Sequence, residues 1–230
     1  MKKLLLALCL PLLLVACTGS GPWAPDEAVQ AARYRAPGPS TITLFTMVNN
    51  RSNEGAHSGL MVNGSQRVIF NPAGTFHHPY APQRADVHYG ITDPLLDFFI
   101  DYHARNTFRV IRHDVEVTPE QAAIALARIE SYGAVPNAFC TTSIGRILRG
   151  VPGFEDAPSS PFPKATMRYF DKIPGVKISR YYDGGPDDRS DLYSDGESNT
   201  TYVADNPAAR ADIIVEYGPD PGYNTHPELQ

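Results

Sequence analysis

Several motifs that would announce a chemistry are missing from this sequence. It has no GxSxG nucleophile turn, no glycine-rich phosphate loop and no HExxH. An esterase elbow, a nucleotide cradle and a helix-borne zinc site therefore have nothing to rest on. No segment repeats at a fixed period, and no apolar run beyond the N-terminus is long enough to cross a bilayer. Positive charge is in short supply, with 20 basic against 25 acidic side chains and a formal charge of −5. That balance argues against a nucleic-acid partner. Cysteine is scarcer still, with Cys9, Cys17 and Cys140 in 230 residues.

What is present begins at the N-terminus. Lys2 and Lys3 precede an unbroken apolar stretch from Leu4 to Val15, too short for a permanent span and suited to a signal peptide. It closes on Leu14-Val15-Ala16-Cys17, which resembles the lipobox of bacterial lipoproteins, in which the cysteine is acylated and becomes the mature N-terminus. Two or three acyl chains anchor stably, each buried CH₂ contributing about 0.8 kcal/mol. The membrane, through the lipid on Cys17, is then the first expected partner, and the periplasmic face of the envelope the expected place. Thr18 rather than Asp after the cysteine points, by resemblance to enterobacterial sorting, to the outer membrane. Losing Lys2 and Lys3 leaves eighteen bases against twenty-five acids, a charge of −7. The expected organisation is a signal peptide over 1–16, a lipidated tether over 17–39 rich in Gly, Pro, Ala and Ser, one α+β domain over 40–218, and a flexible tail over 219–230.

Within the domain, strands are expected over Thr41–Val48, His57–Val62 and Arg67–Asn71, the last two joined at an Asn63-Gly64 turn. Residues 72–91 carry Pro72, Gly74, Pro79, Pro82 and Gly90 and read as a long irregular loop. A helix over Asp93–His103 capped by Asp93, a strand over Thr107–Val117, and a helix opened by the Thr118-Pro119-Glu120-Gln121 capping box follow. Thr141–Arg149 reads as a helix with Ile144, Ile147 and Leu148 on one face. A helix over Lys164–Phe170, a strand over Val176–Tyr182, an acidic loop and a closing strand over Asp212–Tyr217 complete an α+β pattern with an antiparallel sheet.

Cys9 leaves with the signal and Cys17 takes lipid, so Cys140 is the one thiol left, without an intramolecular partner. In an oxidising compartment such a thiol is either packed away or used. Its place in the first turn of a helix favours the thiolate, through unpaired N–H groups and the positive end of the dipole. A nucleophilic cysteine needs a base. Of seven histidines only His226 follows Cys140, in a Pro- and Gly-rich tail unsuited to holding an imidazole still. His57, at the start of a hairpin strand, is the best placed; His113 is also on a strand, His77, His78 and His88 fall in the loop, and His103 near a helix end.

The segments Ala56-His57-Ser58-Gly59-Leu60 and Asn137-Ala138-Phe139-Cys140-Thr141-Thr142 resemble the circularly permuted papain-like cysteine hydrolases of NlpC type, in which the histidine strand precedes the cysteine helix. The likeness covers roughly Thr41 to Tyr182. It implies a core helix carrying Cys140 packed on an antiparallel sheet, Cys140 as nucleophile and His57 as base. A polar residue on the adjacent strand would orient the histidine. Asn71 is the candidate, although a two-residue turn at Asn63-Gly64 sets it just beyond His57, with His78 as the fallback. The family often has a polar residue before the cysteine, where this chain has Phe139. The implied chemistry is acyl transfer without a cofactor, on peptidoglycan stem-peptide amides or on lipid-linked acyl groups. The rival expectation is a non-catalytic lipoprotein scaffold in which Cys140 is buried beside Ile144 and Leu148.

Other signals read as structure. Asp183–Glu197 is a solvated acidic loop, since Tyr193 and Tyr202 fall where a calcium loop needs ligands. His77, His78 and His88 lack the spacing of a zinc site. Phe76, Tyr80 and Tyr89 either cover a cleft beside the hairpin or anchor the loop. Oligomeric state has no signature in the sequence.

Overall fold

Thr41–Asn49 forms β1, and its seven inner residues, Ile42 to Val48, are buried because both faces of the strand are covered. Ile42, Leu44 and Val48 point to one side, where helices pack. Phe45 and Met47 point to the other, into a second core. The structure, a computed structural model, describes residues 21–192 and 214–217. The signal segment 1–16, Cys17, residues 193–197 of the acidic loop, the start of the closing strand, His226 and the tail 219–230 lie outside the described residues.

Seven further strands join β1: β2 Gly55–Asn63, β3 Arg67–Phe70, β4 Gln83–Arg84, β5 Val87–His88, β6 Phe108–Glu116, β7 Lys177–Tyr182 and β8 Ile214–Tyr217. They form one sheet in the order β4-β5-β3-β2-β1-β6-β7-β8, and every pairing is antiparallel. Five helices complete the described fold: α1 Asp26–Ala31, α2 Asp93–His103, α3 Pro119–Glu130, α4 Cys140–Leu148 and α5 Pro163–Asp171. The architecture is α+β, as expected. Ile144, Ile147 and Leu148 of α4 are fully buried in the same cluster as Leu44, Leu60 and Val62, so the helix that begins at Cys140 packs on the sheet. Each such side chain contributes about 1.5–3 kcal/mol on burial. On the opposite face α2 buries Leu95, Leu96, Phe98 and Phe99 against Phe45, Met61 and Ile69.

Capping chemistry explains where α2 and α3 start. Thr118 accepts the Gln121 N–H at 3.2 Å while Gln121 Oε1 accepts the Thr118 N–H at 2.7 Å, the reciprocal box read from the sequence. For α2 the cap is Thr92 rather than Asp93, whose carboxylate instead meets Arg67 at 2.8 Å. Three other expectations shift. β2 starts two residues early, at Gly55. Residues 72–91 are not wholly irregular, because β4 and β5 add two short rungs to the sheet edge. Phe76 and Tyr89 are buried and anchor this segment, while Tyr80 is exposed.

Residues 21–36, within the span expected as a tether, are laid on the domain. The Arg67 N–H donates to Tyr34 O at 2.6 Å, Asn63 bonds Ala36 through both its amide oxygen and its amide nitrogen, and Trp23 bridges to Arg84. Backbone groups near a sheet edge need partners, and residues 21–36 supply them.

A buried guanidinium fixes the acidic loop. Arg105, 1% exposed, meets Asp101 at 2.7 Å, Asp191 at 2.6 Å and Asp183 at 3.5 Å. The Asn106 N–H adds a bond to Gly185 O at 3.1 Å. The segment 183–192 is thus held against the end of α2 by a desolvated charge that cannot be left unpaired.

Candidate active site

Two irregularities in the hairpin create the site. The hairpin closes with Asn63 opposite Arg67, a three-residue loop over 64–66 in place of the two-residue turn expected at Asn63-Gly64. That slip carries Asn71 back to a position facing Gly59, diagonal to His57 on the same side of the sheet, within reach of a long side chain. A β-bulge between Met47 and Val48 leaves Ala56 unpaired beside His57, a device that re-aims neighbouring side chains. β3 ends at Phe70, so Gly55 to Gly59 of β2 lack a neighbour on that edge. The N-terminus of α4 enters there.

The result is a chain of three side chains. His57 Nε2–H donates to Asn71 Oδ1 at 2.7 Å, and with that nitrogen engaged Nδ1 is the one left to interact with the Cys140 thiol. The Asn71 amide therefore sets the tautomer, keeping the basic lone pair toward sulfur. Thr141 Oγ1 lies 3.5 Å from Sγ, and the backbone of Ser58 also favours the thiolate. Burial pushes the Cys140 thiol up, but the hydrogen bond and charge of His57, with the bonds from Thr141 and Ser58, outweigh it and lower the thiol to about 7. Burial likewise opposes a charged His57. Hydrogen bonds to Cys140 and Asn71, and the charges of Cys140 and Asp86, nevertheless raise its pKa above the ordinary value. The two groups titrate as a pair.

Local backbone geometry shapes the turn that leads into Cys140. Ala138 holds φ at 69°, a left-handed conformation rare for a residue with a side chain, and the Phe139 N–H closes the turn on Pro136 O at 3.2 Å. Phe139 caps α4 without a side-chain hydrogen bond. The N–H groups of Cys140, Thr141 and Thr142 thus start the helix with no intrahelical carbonyl to meet.

Asp86 is a positioning residue that the sequence did not disclose. Its carboxylate accepts the N–H of Val135 at 2.8 Å, on the approach to α4, and that of Ala73 at 3.3 Å, beyond Asn71; its carbonyl accepts the Asn71 N–H at 2.8 Å. Burial raises its pKa, opposed by those two N–H bonds and the charge of His57. One side chain thereby ties the histidine's partner to the nucleophile's loop. No spacing or periodicity marks Asp86 in a loop of this composition.

Among the described residues, the remaining histidines do not join the chain. His113 Nε2 bonds Asp171 at 2.8 Å on the helix side of β6. His78, the fallback orienting residue, accepts the Tyr80 N–H at 3.2 Å and lies edge-on to Phe98. His77 is exposed, and among the described residues no group of three or more His, Cys, Asp or Glu side chains could hold a metal. His103 lies closest, its ring stacked 6.1 Å from that of His57.

Gly74 offers a local test. A Cβ there would sit 2.1 Å from Asn71 Nδ2, in the turn closed by the Gly74 N–H on Asn71 O at 3.0 Å. Gly74→Ala is expected to expel the Asn71 amide from the imidazole. A hydrogen bond to a charged group contributes about 1.5–3 kcal/mol, so alkylation of Cys140 at pH 6 should slow by about ten- to hundredfold. Circular dichroism would confirm that the domain still folds; an unchanged rate would show that Asn71 does not hold the ring.

Comparison with protein families, characterised proteins and solved structures produced no match to this chain.

Proposed function

We propose that this chain is a thiol-dependent acyl-transfer enzyme, an amidase, peptidase or acyltransferase, carried on an envelope lipoprotein. The series Cys140–His57–Asn71, in which Asn71 bonds the imidazole and the imidazole lowers the thiol, carries the reading. Cys140 attacks a carbonyl, His57 takes the thiol proton and returns it to the leaving group, Asn71 holds the ring, and the N–H groups opening α4 receive the oxyanion. The order of elements, histidine strand before cysteine helix, supports the permuted papain-like resemblance. The scaffold reading fits less well, because Thr141 Oγ1 lies 3.5 Å from Sγ and the neighbouring His57 imidazole lowers the thiol, whereas a purely structural thiol needs neither.

A lipid on Cys17 would hold the domain at the periplasmic face of a membrane, with the outer membrane favoured by Thr18. Peptidoglycan stem peptides and lipid-linked acyl groups are both within reach there. The test is to treat the purified full chain with p-nitrophenyl acetate and read the intact mass. An acetyl adduct that maps to Cys140, turns over, and is absent from Cys140→Ser is the expected result. An adduct elsewhere, or none, would reject the enzyme in favour of the scaffold. Incubation with muropeptides and, separately, with phospholipid vesicles then tells a cleaved amide from a moved acyl chain.

A further inference from the structure

Against the ring of His57 lies a pocket of about 200 Å³ that Cys140 does not line. Its walls include Met47, His57, Gly74, Thr75, His103 and Arg189. It is smaller than the roughly 300–1,000 Å³ that drug-sized ligands occupy, so a residue-sized group is the fitting occupant. Because His57 walls it and the sulfur does not, it suits the part of a substrate that exchanges a proton with the imidazole, a departing or incoming amine. The acyl group goes elsewhere, onto Cys140.

The polar groups of the pocket are fixed. His103 Nδ1–H donates to Phe99 O at 2.7 Å, which leaves Nε2 as an acceptor, and burial together with the neighbouring His57 charge keeps this imidazole neutral. Arg189 donates from Nε to Tyr102 O at 2.8 Å and from Nη1 to Asp187 O at 3.3 Å, with its guanidinium 4.1 Å over the Tyr102 ring. Those partners are carbonyls and a π face. Among the described residues no carboxylate forms an ion pair with Arg189, and the Asp187 carboxylate is taken by the Thr107 N–H and hydroxyl at 3.0 and 2.6 Å. The loop bearing Arg189 is itself clamped by Arg105, so the cation is placed rather than mobile.

One fixed cation and one fixed neutral acceptor beside a general base define what fits. A carboxylate satisfies the guanidinium, and an N–H donor satisfies His103. A phosphate would bring acceptor oxygens against the His103 lone pair, which that buried ring has no proton to meet.

Resting on Cys140 as nucleophile, we propose that this pocket holds the amine side of the substrate, an amino acid or short peptide with a free carboxylate, bound by Arg189 with an N–H to His103 Nε2. In cleavage Sγ attacks the amide carbon, the C–S bond forms, the C–N bond breaks, and the departing amine in the pocket takes the proton from His57. In transfer the amine nitrogen attacks the thioester carbon, its proton passes to His57, and Cys140 leaves as the thiolate.

The experiment uses the full chain acetylated by p-nitrophenyl acetate, offered alanine or alaninamide at equal free-amine concentration, with Cys140→Ser as the blank. N-acetylalanine should form faster than N-acetylalaninamide by about tenfold or more. Arg189→Gln should bring the two rates together, with Arg189→Lys between. If Cys140 is acetylated but wild type treats both amines alike, or Arg189→Gln keeps the preference, the pocket assignment is overturned while the nucleophile stands. If Cys140 is never acetylated, the nucleophile fails and the pocket falls with it.

Discussion

His57→Ala is expected to move the midpoint of Cys140 alkylation by iodoacetamide from about pH 7 to 9 or above. With the imidazole gone, nothing on that side offsets burial, and the thiol returns toward or beyond its ordinary value of 9.0. At pH 7 the thiolate fraction then falls from about one half to about one hundredth. A more basic thiolate is also a better nucleophile, by roughly six- to tenfold over two pKa units. The loss of anion wins, and the net rate at pH 7 drops roughly five- to eightfold. The two effects separate along the pH axis. Below pH 7 the variant falls further behind; at roughly pH 8 the curves cross, and above it the variant reacts faster. Turnover of an acyl donor should fall by a further factor of about 10²–10⁴, because proton transfer to the leaving group loses its carrier. A midpoint that stays near 7 in the variant would remove His57 from the pair.

Acid should unfold the domain through two other histidines. Burial, with the charge of His77, lowers His88 to about 3, and burial foremost lowers His103 well below its ordinary 6.5. Both pKa values are depressed, so as pH falls through 6.5 the unfolded chain binds protons that the folded chain refuses. Stability is complete above pH 6.5 and is lost downward from there. For His88 alone the loss between pH 7 and pH 5 is about 2 kcal/mol, and His103 acts in the same direction. His57 opposes them, since its raised pKa favours the folded state at low pH. Urea midpoints at pH 7, 6 and 5 should therefore decline, and His88→Leu should flatten the decline. Equal midpoints at pH 7 and 5 in the wild-type chain would mean that these rings are charged when folded.

How far the sequence could be read depended on whether a feature was local. The capping box at Thr118, the apolar face of α4 and the strand nature of β1 follow from spacing, and His57 was singled out because it opens a strand. Asn71 sat at the limit of such reading. Its relation to His57 turns on where the hairpin loop begins and ends, since a loop over 64–66 instead of 63–64 moves Asn71 three positions along β2, and Asn63-Gly64 suits several loop lengths. Long-range agreements were beyond reach. Asp86 matters because Val135 and Ala73 both come to its carboxylate, and His103 because α2 crosses the face on which His57 sits. Arg189 lay inside an acidic loop that composition marks as solvated, and its place depends on Arg105 gathering three aspartates.

The seating of residues 21–36 on the sheet has a mechanical consequence. If Cys17 carries the lipid, only five residue-to-residue steps separate the bilayer surface from Pro22, whose carbonyl accepts the Ala85 N–H at 2.9 Å. Fully extended, they reach about 18 Å. The leash is then shorter than a domain of this size is wide, and the domain would be confined to the layer directly above its own membrane instead of sweeping the compartment.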